Sequence, residues 1–135
     1  MKKQIVYCDM DGSIADLYAQ KDWLQRLRAE SKNLFLTCAP MTTEERLFEL
    51  FPSDKYDIRI LSMTPKGASK EYCAQVVKEK CQWLDMYFPH LEKRIFRPYG
   101  HNKNLRNSVN AILIDDSEET RKNFRGTALN PAEIF

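Results

Sequence analysis

The chain has 135 residues, of which 43% are hydrophobic and 30% charged. That is the size and balance of one soluble globular domain, and it excludes a disordered or low-complexity protein. Its 21 Lys and Arg against 19 Asp and Glu leave a net charge of +2, so the overall balance demands neither nucleic acid nor an anionic membrane as a partner. The Met1-Lys2-Lys3 start lacks the long apolar region of a signal peptide, no apolar run reaches membrane-spanning length, and the four cysteines show no Cys-x-x-Cys spacing; reduced thiols in a cytoplasmic protein are expected.

Ile5-Val6-Tyr7, preceded by Gln4, is a run of β-formers without charge and predicts a strand buried on both faces of a parallel sheet. Cys8-Asp9-Met10-Asp11-Gly12-Ser13 follows, placing two carboxylates just past the strand, where open α/β sheets bind their ligands. If the chain continues extended, Asp9 and Asp11 point the same way. Gly12 then permits a turn that other residues resist. Cys8, on the opposite face from Asp9, is expected to pack rather than react.

Apolar residues at Leu17, Trp23, Leu24 and Leu27 predict a helix over Asp16 to Glu30. A less regular stretch ends at Pro40, and Thr42 or Thr43 then caps a helix running to Phe51, with Glu44 and Glu45 in its first turn and Pro52 as its stop. Asp57 to Leu61 predicts the second strand, ending in Ser62-Met63-Thr64-Pro65. The longest helical pattern runs from Ser69 to Phe88, with Val76, Val77, Cys81, Leu84 and Phe88 as its apolar stripe. Arg94 to Arg97 is a third strand and Ala111 to Ile114 a fourth, the latter ending in Asp115-Asp116. Ser117 caps a helix from Glu118 to Phe124, and Thr127 to Leu129 is a last short strand.

Strands alternating with helices predict an α/β, Rossmann-like three-layer sandwich with a mostly parallel central sheet. Asp9 with Asp11, Ser62 with Thr64, and Asp115 with Asp116 then all arrive at the same edge of that sheet. Each pair has a plain structural reading as a turn or helix cap, but a metal-and-phosphate site needs all three together.

These motifs, with Lys103 ahead of the fourth strand, resemble in order the four motifs of the haloacid dehalogenase-like phosphohydrolase superfamily. The closer resemblance is to the 5'(3')-deoxyribonucleotidase family, carried by Asp9-Met10-Asp11-Gly12 with Ala15-Asp16, by Lys80 with Trp83-Leu84 and Phe88-Pro89, and by Lys103 leading to Leu113-Ile114-Asp115-Asp116. The resemblance implies a single domain with a small helical cap around residues 17–51, and a cytoplasmic phosphomonoester hydrolase acting on a small phosphorylated substrate, first of all a nucleotide.

The chemistry of such a site assigns roles. A phosphate monoester resists attack because nucleophile and phosphorus are both surrounded by negative charge, which a divalent cation relieves. Asp9 is the expected nucleophile, forming an aspartyl-phosphate, and Asp11 the general acid and then base. Ser62 is expected to hydrogen-bond a phosphoryl oxygen, with Thr64 as a competing choice, and Lys103 to set positive charge against the phosphoryl group and Asp9. Mg²⁺ is the expected ion, with Asp9, the Asp11 backbone carbonyl and one or both of Asp115 and Asp116 as ligands. In the resembled nucleotidases the second Asp of the pair ligates directly, which favours Asp116 and leaves Asp115 to orient Lys103 or a metal-bound water.

Lys80 is expected on the surface or packed along Trp83, and His90 and His101 in exposed loops. In the resembled family an aromatic residue follows the equivalent of Asp16; here Leu17 stands there and Tyr18 next, with Tyr18, Trp23 and Phe35 as candidates for a stacking surface. Other readings are a phosphatase for another small phosphomonoester or a polynucleotide end, and a non-catalytic phosphate-binding domain. A second copy of the chain is a candidate to help close so small-capped a site.

Overall fold

The computed structural model describes residues 2–100 and 102–135, and it is built on one all-parallel five-stranded sheet. In chain order the strands are β1 (Gln4–Cys8), β2 (Tyr56–Met63), β3 (Arg94–Arg97), β4 (Ile112–Ile114) and β5 (Thr127–Leu129). The helices are α1 (Trp23–Arg28), α2 (Glu44–Leu50), α3 (Lys70–Tyr87), α4 (Glu118–Asn123) and α5 (Pro131–Ile134), and a 3-10 turn covers Ser108–Asn110. No helix among the described residues is long and apolar enough to cross a membrane.

In space the strands run β3-β2-β1-β4-β5. β1 lies at the centre because it is apolar on both faces, with Val6 set between Ile58 of β2 and Ile112 of β4. Val6, Cys8, Ile58, Ile60, Ile112 and Ile114 face the larger core, which takes in Leu34, Leu47, Val76, Trp83 and Phe88. Tyr7, Leu61 and Leu113 face the other way, under Phe124 and Leu105. Chain order moves outward from β1 through β2 to β3, then jumps back to β4 and outward to β5 on the other side. Right-handed connections therefore leave β1 and β4 toward opposite faces of the sheet, opening a crevice between their carboxyl ends.

The predicted helix over Asp16 to Glu30 is mostly turn. Only Trp23–Arg28 is helical, bounded by left-handed backbone at Asp22 (φ 55°) and Glu30 (φ 54°), and Leu24 is 39% exposed rather than buried. Hydrogen bonds to more distant residues replace the helical ladder there: Gln20 reaches the Leu34 carbonyl and Thr37, and Glu30 takes the Ser69 amide and hydroxyl. Thr43 caps α2 by accepting from the Arg46 amide at 3.0 Å, and Ser69 caps α3 by accepting from Tyr72 at 3.1 Å.

The buried face of α3 is Tyr72, Val76, Glu79, Lys80, Trp83 and Leu84, a helical stripe that includes two charged residues. The apolar stripe read from the sequence shares Val76 and Leu84 with it, while Val77 and Cys81 are half-buried. Glu79 is buried because it accepts from the Asn33 and Phe35 amides, at 3.0 and 3.2 Å, and from Gln75. The segment between β1 and β2 is thereby fastened to α3, with the Trp83 indole also donating to the Cys38 carbonyl at 2.8 Å and the Tyr72 hydroxyl to the Ser31 carbonyl at 2.8 Å.

Candidate active site

The crevice between β1 and β4 is lined by carboxylates. At the end of β1 the backbone turns at once, with the Ser13, Ile14 and Ala15 amides converging on the Met10 carbonyl. The chain thus does not continue extended past Asp9, and the two carboxylates take different ion-pair partners, Lys103 for Asp9 and Lys80 for Asp11. Asp9 is buried toward β4, whereas Asp11 lies toward α3. Gly12 makes the turn with φ 81°, and the space beside it is full: a Cβ there would overlap the Asp116 carboxylate and stand 2.6 Å from the Tyr18 ring. Glycine is required at this position for both reasons.

Lys103 is buried and closes the β4 side, its Nζ lying 2.6 Å from Asp9 Oδ1 and 2.7 Å from Asp115 Oδ2. The other Asp115 oxygen accepts from the Ser117 amide at 2.9 Å, so Asp115 is fixed by the start of α4 and in turn fixes the lysine. Ser13 completes the group; its hydroxyl donates to Asp9 Oδ2 at 3.0 Å and accepts from the Asp116 amide at 3.2 Å. Its place directly after Gly12 is a signal in the sequence, though spacing alone gives it no role.

One oxygen each from Asp9, Asp115 and Asp116 lie within 4.8 Å of one another. Such crowding is expressed in their acidities. Burial first, and then the Asp9 carboxylate, push Asp116 up to about 7. Asp115 is raised by burial and Asp9 against the pull of Lys103. Burial by itself would lower the Lys103 pKa, but Asp9 and Asp115 outweigh it and keep the ammonium charged. After Lys103 is counted, negative charge is still in excess, and every donor is an oxygen. That donor set suits a small hard divalent cation.

Lys80 departs most from expectation. It is 1% exposed, and its Nζ donates to Asp11 Oδ2 at 2.9 Å, Ser62 Oγ at 2.8 Å and the Met63 carbonyl at 2.9 Å. It is neither a surface residue nor merely laid along Trp83. Burial is tolerated because the ammonium's three N–H groups meet three acceptors, one of them anionic. Burial raises the Asp11 pKa, with Lys80 opposing it, and the second Asp11 oxygen is buried with no hydrogen-bond partner. Ser62 is thus joined to Asp11 through Lys80. Thr64 lies just past the strand, its amide donating to the Arg97 carbonyl at 2.9 Å, and its side chain is only half-buried.

Tyr18, 49% exposed, covers Gly12 and meets Trp23 edge-on with ring centroids 4.8 Å apart. Its phenol is raised well above the ordinary value by burial and then by Asp11 and Asp116. Leu17 and Phe35 are core residues, so of the proposed aromatic surface Tyr18 and half-buried Trp23 remain open. His90 is exposed and pairs with Glu44 at 2.6 Å, away from the site, while His101 lies outside the described residues. Cys8 packs in the core at 0% exposure, and desolvation, with Asp9 next in weight, raises its thiol above the ordinary value. Two clefts of about 650 and 540 Å³ open where the strands begin, beside Lys3, and neither is lined by a residue of this group.

No protein-family model and no curated protein matches this chain.

Proposed function

We propose that the protein is a Mg²⁺-dependent phosphomonoester hydrolase of the haloacid dehalogenase-like superfamily, with (deoxy)nucleoside monophosphates as its first candidate substrates. The observation that carries the reading is the division of the two β1 aspartates between two buried lysines. Asp9 sits with Lys103 among the carboxylates of β4, and Asp11 sits with Lys80 beside Ser62. A turn with solvated carboxylates needs neither lysine.

In this mechanism an oxygen of Asp9 forms a bond to phosphorus as the ester oxygen leaves, and the leaving alkoxide takes a proton from Asp11. Water then attacks the phosphorus of the aspartyl-phosphate and returns its proton to Asp11, giving alcohol and phosphate and restoring both carboxyl groups. Lys103 holds positive charge beside Asp9 throughout, and Ser62 donates to a phosphoryl oxygen. Asp9, Asp116 and the Asp11 carbonyl would hold Mg²⁺, with Asp115 engaged mainly by Lys103; when bound, the ion supplies the charge that lets an anionic nucleophile approach an anionic ester. Tyr18 and Trp23 form the open wall against which a nucleoside would rest.

The experiment is hydrolysis of p-nitrophenyl phosphate and a nucleotide panel by the purified protein. Turnover is expected to require Mg²⁺ and to vanish in Asp9→Asn. Turnover that survives that substitution would eliminate Asp9 as the nucleophile, and no turnover of any phosphomonoester with Mg²⁺ would eliminate the enzyme.

A further inference from the structure

The amino edge of the sheet gathers charge of the opposite sign to the crevice at its carboxyl edge. A cleft of about 540 Å³ opens there between the starts of β1 and β5, at Gln4 and Thr127, and the 3-10 turn that precedes β4. Its charged lining residues are Lys2, Lys3 and Arg106, and no carboxylate lines it. We propose that this cleft is a binding site for a compact phosphorylated anion, a chain of two or three phosphoryl groups, remote from the proposed catalytic centre and independent of it.

The cations come from distant parts of the chain, and only folding brings them to one cavity. No Asp or Glu stands between Glu92 and Asp115, so the connection that supplies Arg106 brings no anion with it. Lys2, Lys3 and Arg106 are exposed, and among the described residues none of them makes an ion pair. The neighbouring cleft of about 650 Å³, which shares Lys3, is the contrast. There Lys93 is bound to Asp57 at 2.9 Å and His90 to Glu44 at 2.6 Å, and Glu45 adds a further carboxylate. The charges of the larger cleft are answered from within the chain, whereas those of the smaller one await a partner.

Like charges gathered without a counter-ion repel one another, and an anion that spreads its charge over several oxygens relieves all of them together. The guanidinium of Arg106 offers a fork of donors that matches phosphate oxygens, and the two lysines add point charges. Asn107, Asn110 and Thr127 place neutral polar groups in the wall, which the Gln4 side chain braces by donating to the Asn110 carbonyl at 3.0 Å. The volume falls within the range of about 300–1,000 Å³ that small ligands occupy. No aromatic side chain lines the cleft, and single-stranded nucleic acid is held by stacking its bases on such rings. What the cleft can recognise is therefore the phosphate chain, which inorganic triphosphate and a nucleoside triphosphate share.

The test is calorimetric titration of the full chain at about 0.15 M salt, in EDTA so that no divalent ion draws phosphate to the carboxylates. The probes are inorganic triphosphate, ATP and a single-stranded oligothymidylate. We expect one saturable site per chain for inorganic triphosphate. Arg106→Glu and Lys2→Glu should each weaken it about tenfold or more, as loss of a charge-assisted hydrogen bond does. Lys78→Glu, which changes the net charge equally from an exposed position on α3, should weaken it less than about twofold, because salt screens distant charges. ATP binding as tightly as inorganic triphosphate would support a site for the phosphate chain alone, and tighter binding of ATP a site for a nucleotide. Absence of saturable binding of both at millimolar concentration, equal weakening by Lys78→Glu, or tighter binding of the oligothymidylate would overturn the proposal. None of these titrations depends on turnover, so failure of the cleft leaves the phosphatase reading intact, and absence of phosphatase activity leaves the cleft untouched.

Discussion

Asp116→Asn should make the metal-free protein more stable and, on the proposed reading, abolish Mg²⁺ binding. In the folded chain Asp116 is raised from an ordinary 3.8 to about 7, by burial and by Asp9 beside it. A carboxyl raised on folding takes up its proton more readily in the folded state than in the unfolded one. Below about pH 4 both states are protonated and folding carries no penalty; above about pH 7 both are ionised and the penalty is complete. The displacement corresponds to a ceiling of about 4 kcal/mol. Because the residue is half-exposed, solvent screening cuts this to about 1–2 kcal/mol. Asn keeps the shape, and its side-chain oxygen can still accept near Ser13. With EDTA at pH 8 the variant should therefore melt roughly 3–8 °C above the wild type, with a smaller gain at pH 5. Addition of Mg²⁺ at about ten times its Kd should raise the wild type by about 1.4 kcal/mol and the variant by much less. A variant that melts at or below the wild type in EDTA at pH 8, or a gain that does not shrink at pH 5, would refute the reasoning.

The same acidity predicts that Mg²⁺ affinity, measured by the thermal shift it produces, weakens by up to about tenfold for each pH unit below 7, since the proton and the ion compete for Asp116; an affinity flat between pH 6 and 8 would contradict it. Gly12→Ala should cost about 1–2 kcal/mol, from its φ of 81° and from the overlap with Asp116 and Tyr18, and should lower phosphatase turnover at least tenfold; a melt and a rate assay on one preparation check both. Gly126→Ala would drive a methyl into the Ser108 and Ala111 carbonyls, so it should lower stability by about 1–3 kcal/mol while leaving Mg²⁺ dependence intact. Cys73 and Cys81, half-buried, should react with a disulfide reagent in the native protein, and buried Cys8 and Cys38 only after unfolding; prompt titration of all four would show that the core opens.

Apolar patterning was enough to read the sheet from the sequence, because β1, β2 and β4 carry short runs rich in β-branched residues stopped by turn residues, and the longest helix carries a serine cap. The run from Asp16 to Glu30 failed as a helix for a reason periodicity does not contain. Its Gln20 and Glu30 side chains bond Leu34, Thr37 and Ser69, all beyond the run. Asp9 and Asp115 could be placed because strand ends in a parallel sheet are forced together by topology, whereas Lys103, in the connection before β4, was placed by resemblance. Lys80 could not, since a rule that scores Lys as polar assigns it to the solvent face of α3. What overrides that rule is the anion on the facing strand end, and spacing alone does not pair residues 11 and 80.

The adjacency of Glu79 and Lys80 bears on how a substrate would enter. Glu79 holds the Asn33 and Phe35 amides, and Ser69, Tyr72 and Trp83 of the same segment hold Glu30, Ser31 and Cys38. This part of the segment between β1 and β2 is bound to α3 by hydrogen bonds that are buried or half-buried except for the exposed pair between Glu30 and Ser69, and all would have to break for it to lift. Their cooperative loss would cost several kcal/mol, since each such bond contributes about 0.5–1.5 kcal/mol and those to Glu79 more. A lid that opens on the time scale of turnover is drawn from weakly held structure. Access therefore falls to the opposite wall, where Tyr18 is exposed and Asp22 carries no side-chain cap. On the proposed reading, substrate would pass over Tyr18 and Trp23 to reach Asp9, while Lys80 and Asp11 stay with the side bound to α3.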